Sequence, residues 1–87
     1  MRLLVTGAAG FIGTNFVRAA LVRPEVERLV AVDLLTYAGN YANLADLAGD
    51  ARFRFVRGDI AGREAMAALV GEERIDTLVN FAAESHV

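Results

Sequence analysis

The feature that most restricts this chain is a run of glycines at three-residue spacing, Gly7-Ala8-Ala9-Gly10-Phe11-Ile12-Gly13, set directly after the apolar stretch Leu3-Leu4-Val5. Glycines alone mean little, but between a buried strand and a helix they mark a turn whose backbone must approach something closely. Gly7 lets the chain turn sharply out of the strand. Gly10 leaves no side chain between the backbone and a pyrophosphate, and Gly13 lets the following helix pack closely on the sheet. The helix N-terminus then offers unpaired amide donors and the positive end of its dipole to the phosphates.

The rest of the chain alternates between two periodicities. From Phe11 to about Val22, Ile12, Phe16, Ala19 and Ala20 recur at spacings of three and four, which predicts a helix ended by Pro24. Leu29 to Val32 predicts a second strand closed by Asp33, and a polar stretch with Gly39-Asn40 leads into a short helix expected from Tyr41 to Leu47. Phe53 to Val56 is a third strand, Glu64 to Glu72 a helix with Met66, Leu69 and Val70 on one face, and Thr77 to Phe81 a fourth strand. Such alternation predicts an α/β fold, a doubly wound parallel sheet of Rossmann type with right-handed crossovers and helices on both faces. Four strands make only the first, amino-terminal half of that sheet. Residues 1–87 therefore read as one unit, the amino-terminal part of a dinucleotide-binding Rossmann domain.

Composition narrows the partners. At 55% hydrophobic and 23% charged, with mean hydropathy +0.38, the chain is too apolar to stay disordered. For 87 residues that is a high value, so part of the apolar surface is expected to meet structure outside this stretch, with the chain a piece of a longer protein. A net charge of −2 without a basic run argues against nucleic acid and anionic membrane. With no cysteine there are no disulfides or thiolate metal sites, and no metal-binding cluster is expected. No apolar run reaches the length of a signal-peptide core or a membrane span, and a soluble, cytoplasmic protein is expected.

Asp33 lies twenty residues after Gly13 at the carboxyl end of the second strand. A carboxylate there accepts hydrogen bonds from the adenosine ribose hydroxyls and repels a 2′-phosphate. Leu34 and Leu35 follow, with no arginine among them to receive that phosphate, so NAD is expected over NADP. Gly58-Asp59-Ile60 closes the third strand, where Asp59 would reach the exocyclic amine of adenine and Ile60 its ring; the competing role for Asp59 is a helix cap. After the fourth strand, Ala82 and Ala83 are small enough to let backbone lie against a nicotinamide ribose, and Ser85 can donate or accept a hydrogen bond. His86 is the chain's one histidine and reads as structural, for want of a partner. Tyr37 and Tyr41 read as packing or cleft residues, because all nine cations are arginines and a Tyr-x-x-x-Lys pair needs a lysine.

Three segments go further: Asp33-Leu34-Leu35-Thr36-Tyr37-Ala38-Gly39-Asn40, Phe55-Val56-Arg57-Gly58-Asp59-Ile60 and Asn80-Phe81-Ala82-Ala83-Glu84-Ser85-His86-Val87. They are similar to the dTDP-glucose 4,6-dehydratase family, within the extended short-chain dehydrogenases/reductases. The G-x-x-G-x-x-G loop fits that whole group. The Leu-Thr-Tyr-Ala-Gly-Asn and Ala-Ala-Glu-Ser-His-Val segments are narrower, and related nucleotide-sugar epimerases and GDP-mannose dehydratases usually differ at both. Leu34 departs from the family, which often has lysine there.

The resemblance implies NAD as cofactor and a nucleotide sugar, dTDP-glucose, as substrate. Beside Gly7, Gly10 and Gly13, it places cofactor contacts on Phe11 and Ile12, on Asp33, Leu34, Leu35 and Thr36, and on Asp59 and Ile60. It adds Phe81, Ala82, Ala83, Glu84 and Ser85, with Ser85 also approaching the sugar nucleotide. The implied reaction moves a hydride from carbon 4 of the glucose to NAD⁺, eliminates water across carbons 5 and 6, and returns the hydride at carbon 6. The family's proton-handling groups, a threonine-aspartate-glutamate segment and a Tyr-x-x-x-Lys pair, fall beyond Val87. No catalytic residue is therefore assigned in this chain, which alone is expected to be inactive, and the full-length enzyme is expected to be a homodimer. Two alternatives stand: another NAD-dependent nucleotide-sugar enzyme such as an epimerase, and a non-catalytic NAD-binding module.

Overall fold

Each apolar run of the sequence becomes a strand, and most extend by a residue or two beyond the run. The computed structural model describes residues 1–8, 11–33, 44–58 and 62–81. In chain order these form β1 (Arg2–Thr6), α1 (Phe11–Leu21), β2 (Arg28–Asp33), a 3₁₀ turn (Ala45–Leu47), β3 (Phe53–Arg57), α2 (Arg63–Glu72) and β4 (Thr77–Asn80). The strands lie in the order β3-β2-β1-β4 and every neighbouring pair is parallel. The chain thus steps outward from β1 to β3, then crosses back to place β4 on the other side of β1. That reversal is the switch point of a doubly wound sheet.

Strand alternation sorts the core into two layers. Leu3, Val5, Leu29, Ala31 and Phe53 join Val17, Ala20 and Leu21 of α1 on one face. Leu4, Val30 and Val32 join Leu69 of α2 on the other, with Val56, Met66 and Ile75 packed against them. The two helices therefore cover opposite faces, as the alternation of periodicities predicts. Among the described residues β4 pairs with β1 alone, and its Leu78 is 62% exposed.

Three details differ from the sequence reading. The buried stripe of α1 is Gly13, Val17, Ala20 and Leu21, whereas Ile12, expected in the core, is 55% exposed and Ala19 is exposed as well. The helix is turned by about one residue because Gly13, not Ile12, has to face the turn that leaves β1. Val70, expected to share the buried face of α2, is 37% exposed. The helix expected from Tyr41 to Leu47 is, among the described residues, one 3₁₀ turn preceded by the fully buried Leu44.

Helix α2 ends on a left-handed residue that is not glycine. Ile75 N–H donates to the Val70 carbonyl at 3.0 Å and Arg74 N–H to the Gly71 carbonyl at 3.3 Å, with Arg74 at φ 54°. This is the paired bond pattern of a Schellman ending, whose left-handed position favours glycine because a Cβ crowds the carbonyl there. Arg74→Gly is expected to stabilise the full-length protein by about 0.5–1 kcal/mol, read from urea unfolding midpoints. A variant less stable than wild type would show that the Arg74 side chain makes up for its backbone.

Candidate functional site

The carboxyl ends of all four parallel strands open on one edge of the sheet, and four of the singled-out positions sit there: Gly7 after β1, Asp33 ending β2, Gly58 after β3 and Phe81 after β4. The first turn is the most constrained. Gly7 takes φ 69°, a conformation that any side chain would strain. Its N–H donates to the Val32 carbonyl at 2.9 Å, and the Thr14 hydroxyl in the first turn of α1 donates to the Ala8 carbonyl at 3.1 Å. A Cβ on Gly13 would lie 2.2 Å from the Gly7 carbonyl oxygen and 2.9 Å from Ala8 Cα. Two glycines of the loop thus have separate jobs: Gly7 bends the chain and Gly13 lets the helix start against the bend. The contact that needs Gly13 is with the turn rather than with the sheet.

Phe11 opens α1, so the helix N-terminus points its first amides toward the turn. Ile12 follows on the outer side. Asp33 is half-buried, and its backbone carbonyl accepts from Gly58 N–H at 3.1 Å, tying the ends of β2 and β3 together. Phe81 N–H donates to the Thr6 carbonyl at 2.9 Å, which carries the β1–β4 ladder to the carboxyl edge of the sheet. There the Phe81 ring packs on Phe16 of α1, with ring centroids 5.5 Å apart and planes tilted by 55°. Gly10, Leu34, Leu35, Thr36, Asp59, Ile60, Ala82, Ala83, Glu84 and Ser85 lie outside the described residues, as do Tyr37, Tyr41 and His86. Among the described residues no cluster of metal-ligating side chains occurs.

The structure adds residues that the sequence reading passed over. The Thr6 hydroxyl, 3% exposed as a residue, donates to the Asn80 side-chain oxygen at 2.6 Å and joins β1 to β4 at the switch point. A hydroxyl inside an otherwise apolar strand needs a partner, and that need was the available signal. Arg57 ends β3 directly across from Asp33 in the strand register. So an arginine does stand beside that carboxylate, although none follows it in sequence.

A glycine-turned β1–α1 junction at the switch point of a parallel sheet defines the Rossmann-type fold, the class to which NAD-binding dehydratases belong. The family model described as GDP-mannose 4,6 dehydratase matches residues 4–87, and the chain belongs to that family. It is 51% identical over 87 residues to dTDP-glucose 4,6-dehydratase of Mycobacterium tuberculosis strain H37Rv, covering all of this chain and 25% of the relative. Among solved structures, dTDP-glucose 4,6-dehydratase from Bacillus anthracis in complex with NAD superposes with a TM-score of 0.90 at 40% identity, over 97% of this chain and 27% of that one. The dTDP-glucose 4,6-dehydratase DesIV from Streptomyces venezuelae, with NAD bound, gives a TM-score of 0.87 at 52% identity, over 100% of this chain and 28% of that one. The chain thus spans about a quarter of the length of the curated relatives it matches. The resemblance read from the three segments and the expected fold class both hold.

Proposed function

We propose that residues 1–87 form the amino-terminal, NAD-binding part of a nucleotide-sugar dehydratase that converts dTDP-glucose to dTDP-4-keto-6-deoxyglucose. The observation that carries this reading is the place of Gly13, where a Cβ would meet backbone at 2.2 Å. Only a glycine brings the N-terminus of α1 this close to the turn after β1, and that approach builds a pyrophosphate cradle. NAD, when bound, supplies the hydride acceptor for oxidation at carbon 4 of the sugar. Gly7, Gly10 and Gly13 shape the turn under its pyrophosphate, with the amides of Phe11 and Ile12 as donors. Asp33 accepts from the adenosine ribose hydroxyls, followed by Leu34, Leu35 and Thr36 along the adenosine. Asp59 and Ile60 flank the adenine. Phe81, Ala82, Ala83, Glu84 and Ser85 line the nicotinamide end, where Ser85 also meets the substrate. The proton-handling groups belong to sequence beyond this stretch, and none of residues 1–87 is assigned to the chemical step.

The same reading carries a cytoplasmic, homodimeric full-length enzyme. Among the described residues no helix is long and apolar enough to cross a membrane. The test begins with Asp33. In the full-length enzyme Asp33→Ala is expected to weaken NAD binding by about 1–3 kcal/mol, the range for losing hydrogen bonds to a charged group. Calorimetric titration of both forms with NAD, beside an assay with dTDP-glucose, checks it. An unchanged dissociation constant would remove Asp33 from the site, and a wild-type protein inert toward dTDP-glucose would remove the substrate.

A further inference from the structure

We propose that Arg57 is a specificity-determining residue for the nucleotide: it opposes Asp33 at the adenosine end of the site, and the balance of the two charges sets the preference for a free 2′-hydroxyl over a 2′-phosphate. The proposal rests on the reading that Asp33 meets the adenosine ribose.

Three observations lead to it. First, the β2–β3 register pairs Asp33 with Arg57 as the last residues of their strands. Parallel neighbours lie about 4.8 Å apart, and side chains at paired positions share a face, so a guanidinium on its long stem sweeps the same space as the carboxylate. Second, the two strand ends are fixed to each other by Gly58 N–H donating to the Asp33 carbonyl at 3.1 Å, which holds the relation of the two residues. Third, the other arginines in strands or beside them already have acidic partners. Arg2 pairs with Glu27, Arg28 with Glu73, Arg52 with Asp50, and Arg54 with Glu72 and Glu73. Arg57 is exposed and makes no ion pair among the described residues.

An exposed guanidinium that makes no ion pair among the described residues, next to the residue that reads the ribose, is a phosphate receptor held in check. A guanidinium binds phosphate through two parallel charge-assisted hydrogen bonds. With the Asp33 side chain beside it, a 2′-phosphate meets one attraction and one repulsion, and NAD keeps the advantage. Removing the carboxylate leaves the attraction alone.

The experiment is a double-mutant cycle in the full-length enzyme, with dissociation constants for NAD⁺ and NADP⁺ measured for wild type, Asp33→Asn, Arg57→Ala and the double variant. Asp33→Asn is expected to tighten NADP⁺ by about tenfold, and adding Arg57→Ala should abolish that gain. Arg57→Ala alone should weaken NADP⁺ and leave NAD⁺ nearly unchanged. The Arg57-dependent part of NADP⁺ affinity should fall as salt rises. A double variant that binds NADP⁺ as tightly as Asp33→Asn overturns the role of Arg57. If Asp33→Asn shifts neither nucleotide, the assignment of Asp33 fails instead. Arg57→Ala alone then decides for Arg57: weakened NADP⁺ supports it and unchanged NADP⁺ ends it.

Discussion

Gly13→Ala is expected to weaken NAD binding of the full-length enzyme by at least about tenfold and to lower its stability by about 2–3 kcal/mol. The added methyl carbon would sit 2.2 Å from the Gly7 carbonyl oxygen, with Ala8 Cα at 2.9 Å and the Ala8 carbonyl carbon at 3.1 Å. All three obstacles are backbone, so no rotamer change relieves the clash. The turn cannot yield easily either. Gly7 N–H is bonded to Val32, the Thr14 hydroxyl to Ala8, and Ala8 is fully buried. Helix α1 must therefore tilt or slide away from β1, taking its N-terminal amides out of reach of the phosphates. Gly49→Ala is the matched control, since a Cβ there would meet nothing within 4 Å. Urea unfolding and calorimetry with NAD read both effects. If Gly13→Ala keeps wild-type affinity while losing stability, the glycine serves helix packing alone and the pyrophosphate cradle lies elsewhere.

That same glycine explains what the sequence hid about α1. The helix is apolar nearly all round: Ile12, Phe16, Val17, Ala19, Ala20, Leu21 and Val22 leave two rotations almost equally good. The expected stripe through Ile12, Phe16, Ala19 and Ala20 satisfies the periodicity as well as the observed one through Gly13, Val17, Ala20 and Leu21, with Ala20 common to both. Close approach at Gly13 chooses the second, and periodicity has no means of seeing it. Strands were easier to read, because a buried parallel strand is a short continuous apolar run. Leu3–Val5, Leu29–Val32 and Phe53–Val56 all lie inside observed strands. Their ends were missed where a polar or charged residue continues the ladder: Arg2, Thr6, Arg28 and Arg57. Of the candidate site, the placement of Gly7 and Gly13 on either side of the first turn, and of Asp33 and Phe81 at strand ends, was legible from local sequence. Pairs made by register stayed hidden. Thr6 meets Asn80, and Asp33 stands beside Arg57, only because β4 and β3 are where the topology puts them.

Outside the site, the ion pairs of Glu73 were hidden for the same reason, and Glu73→Gln is expected to cost the full-length protein about 2–3 kcal/mol near neutral pH, with NAD affinity unchanged. In sequence Glu73 is one of three consecutive charged residues, Glu72-Glu73-Arg74, and nothing local marks its partners. In the structure the Glu73 side chain is only 8% exposed. Arg28 grips its carboxylate through Nε at 2.8 Å and Nη2 at 3.2 Å, and Arg54 donates from Nη1. Arg2 Nε donates to the Glu73 backbone carbonyl at 2.8 Å. The end of α2 is thus fastened to β1, β2 and β3 together. Hydrogen bonds from Arg28 and then Arg54 hold the Glu73 carboxyl down at about 2, well below its ordinary 4.5. A carboxyl lowered by folding contributes its stability above the unfolded value and loses it as pH falls toward the folded one. The contribution is therefore complete above about pH 5 and fades between about 4.5 and 2. A shift of this size corresponds to about 3 kcal/mol, and partial solvent access to Arg54 trims it. Urea unfolding of wild type and Glu73→Gln at pH 7 and at pH 2.5 should give a clear gap at the first, narrowed at the second. A gap that stays the same at both would mean that the glutamine disturbs packing, and that the ion pairs with Arg28 and Arg54 add little. Cofactor affinity separates the ends of the molecule: Glu73 lies beside the first residues of the strands, a sheet's length from their carboxyl edge, so its loss should move the unfolding midpoint without moving the NAD dissociation constant.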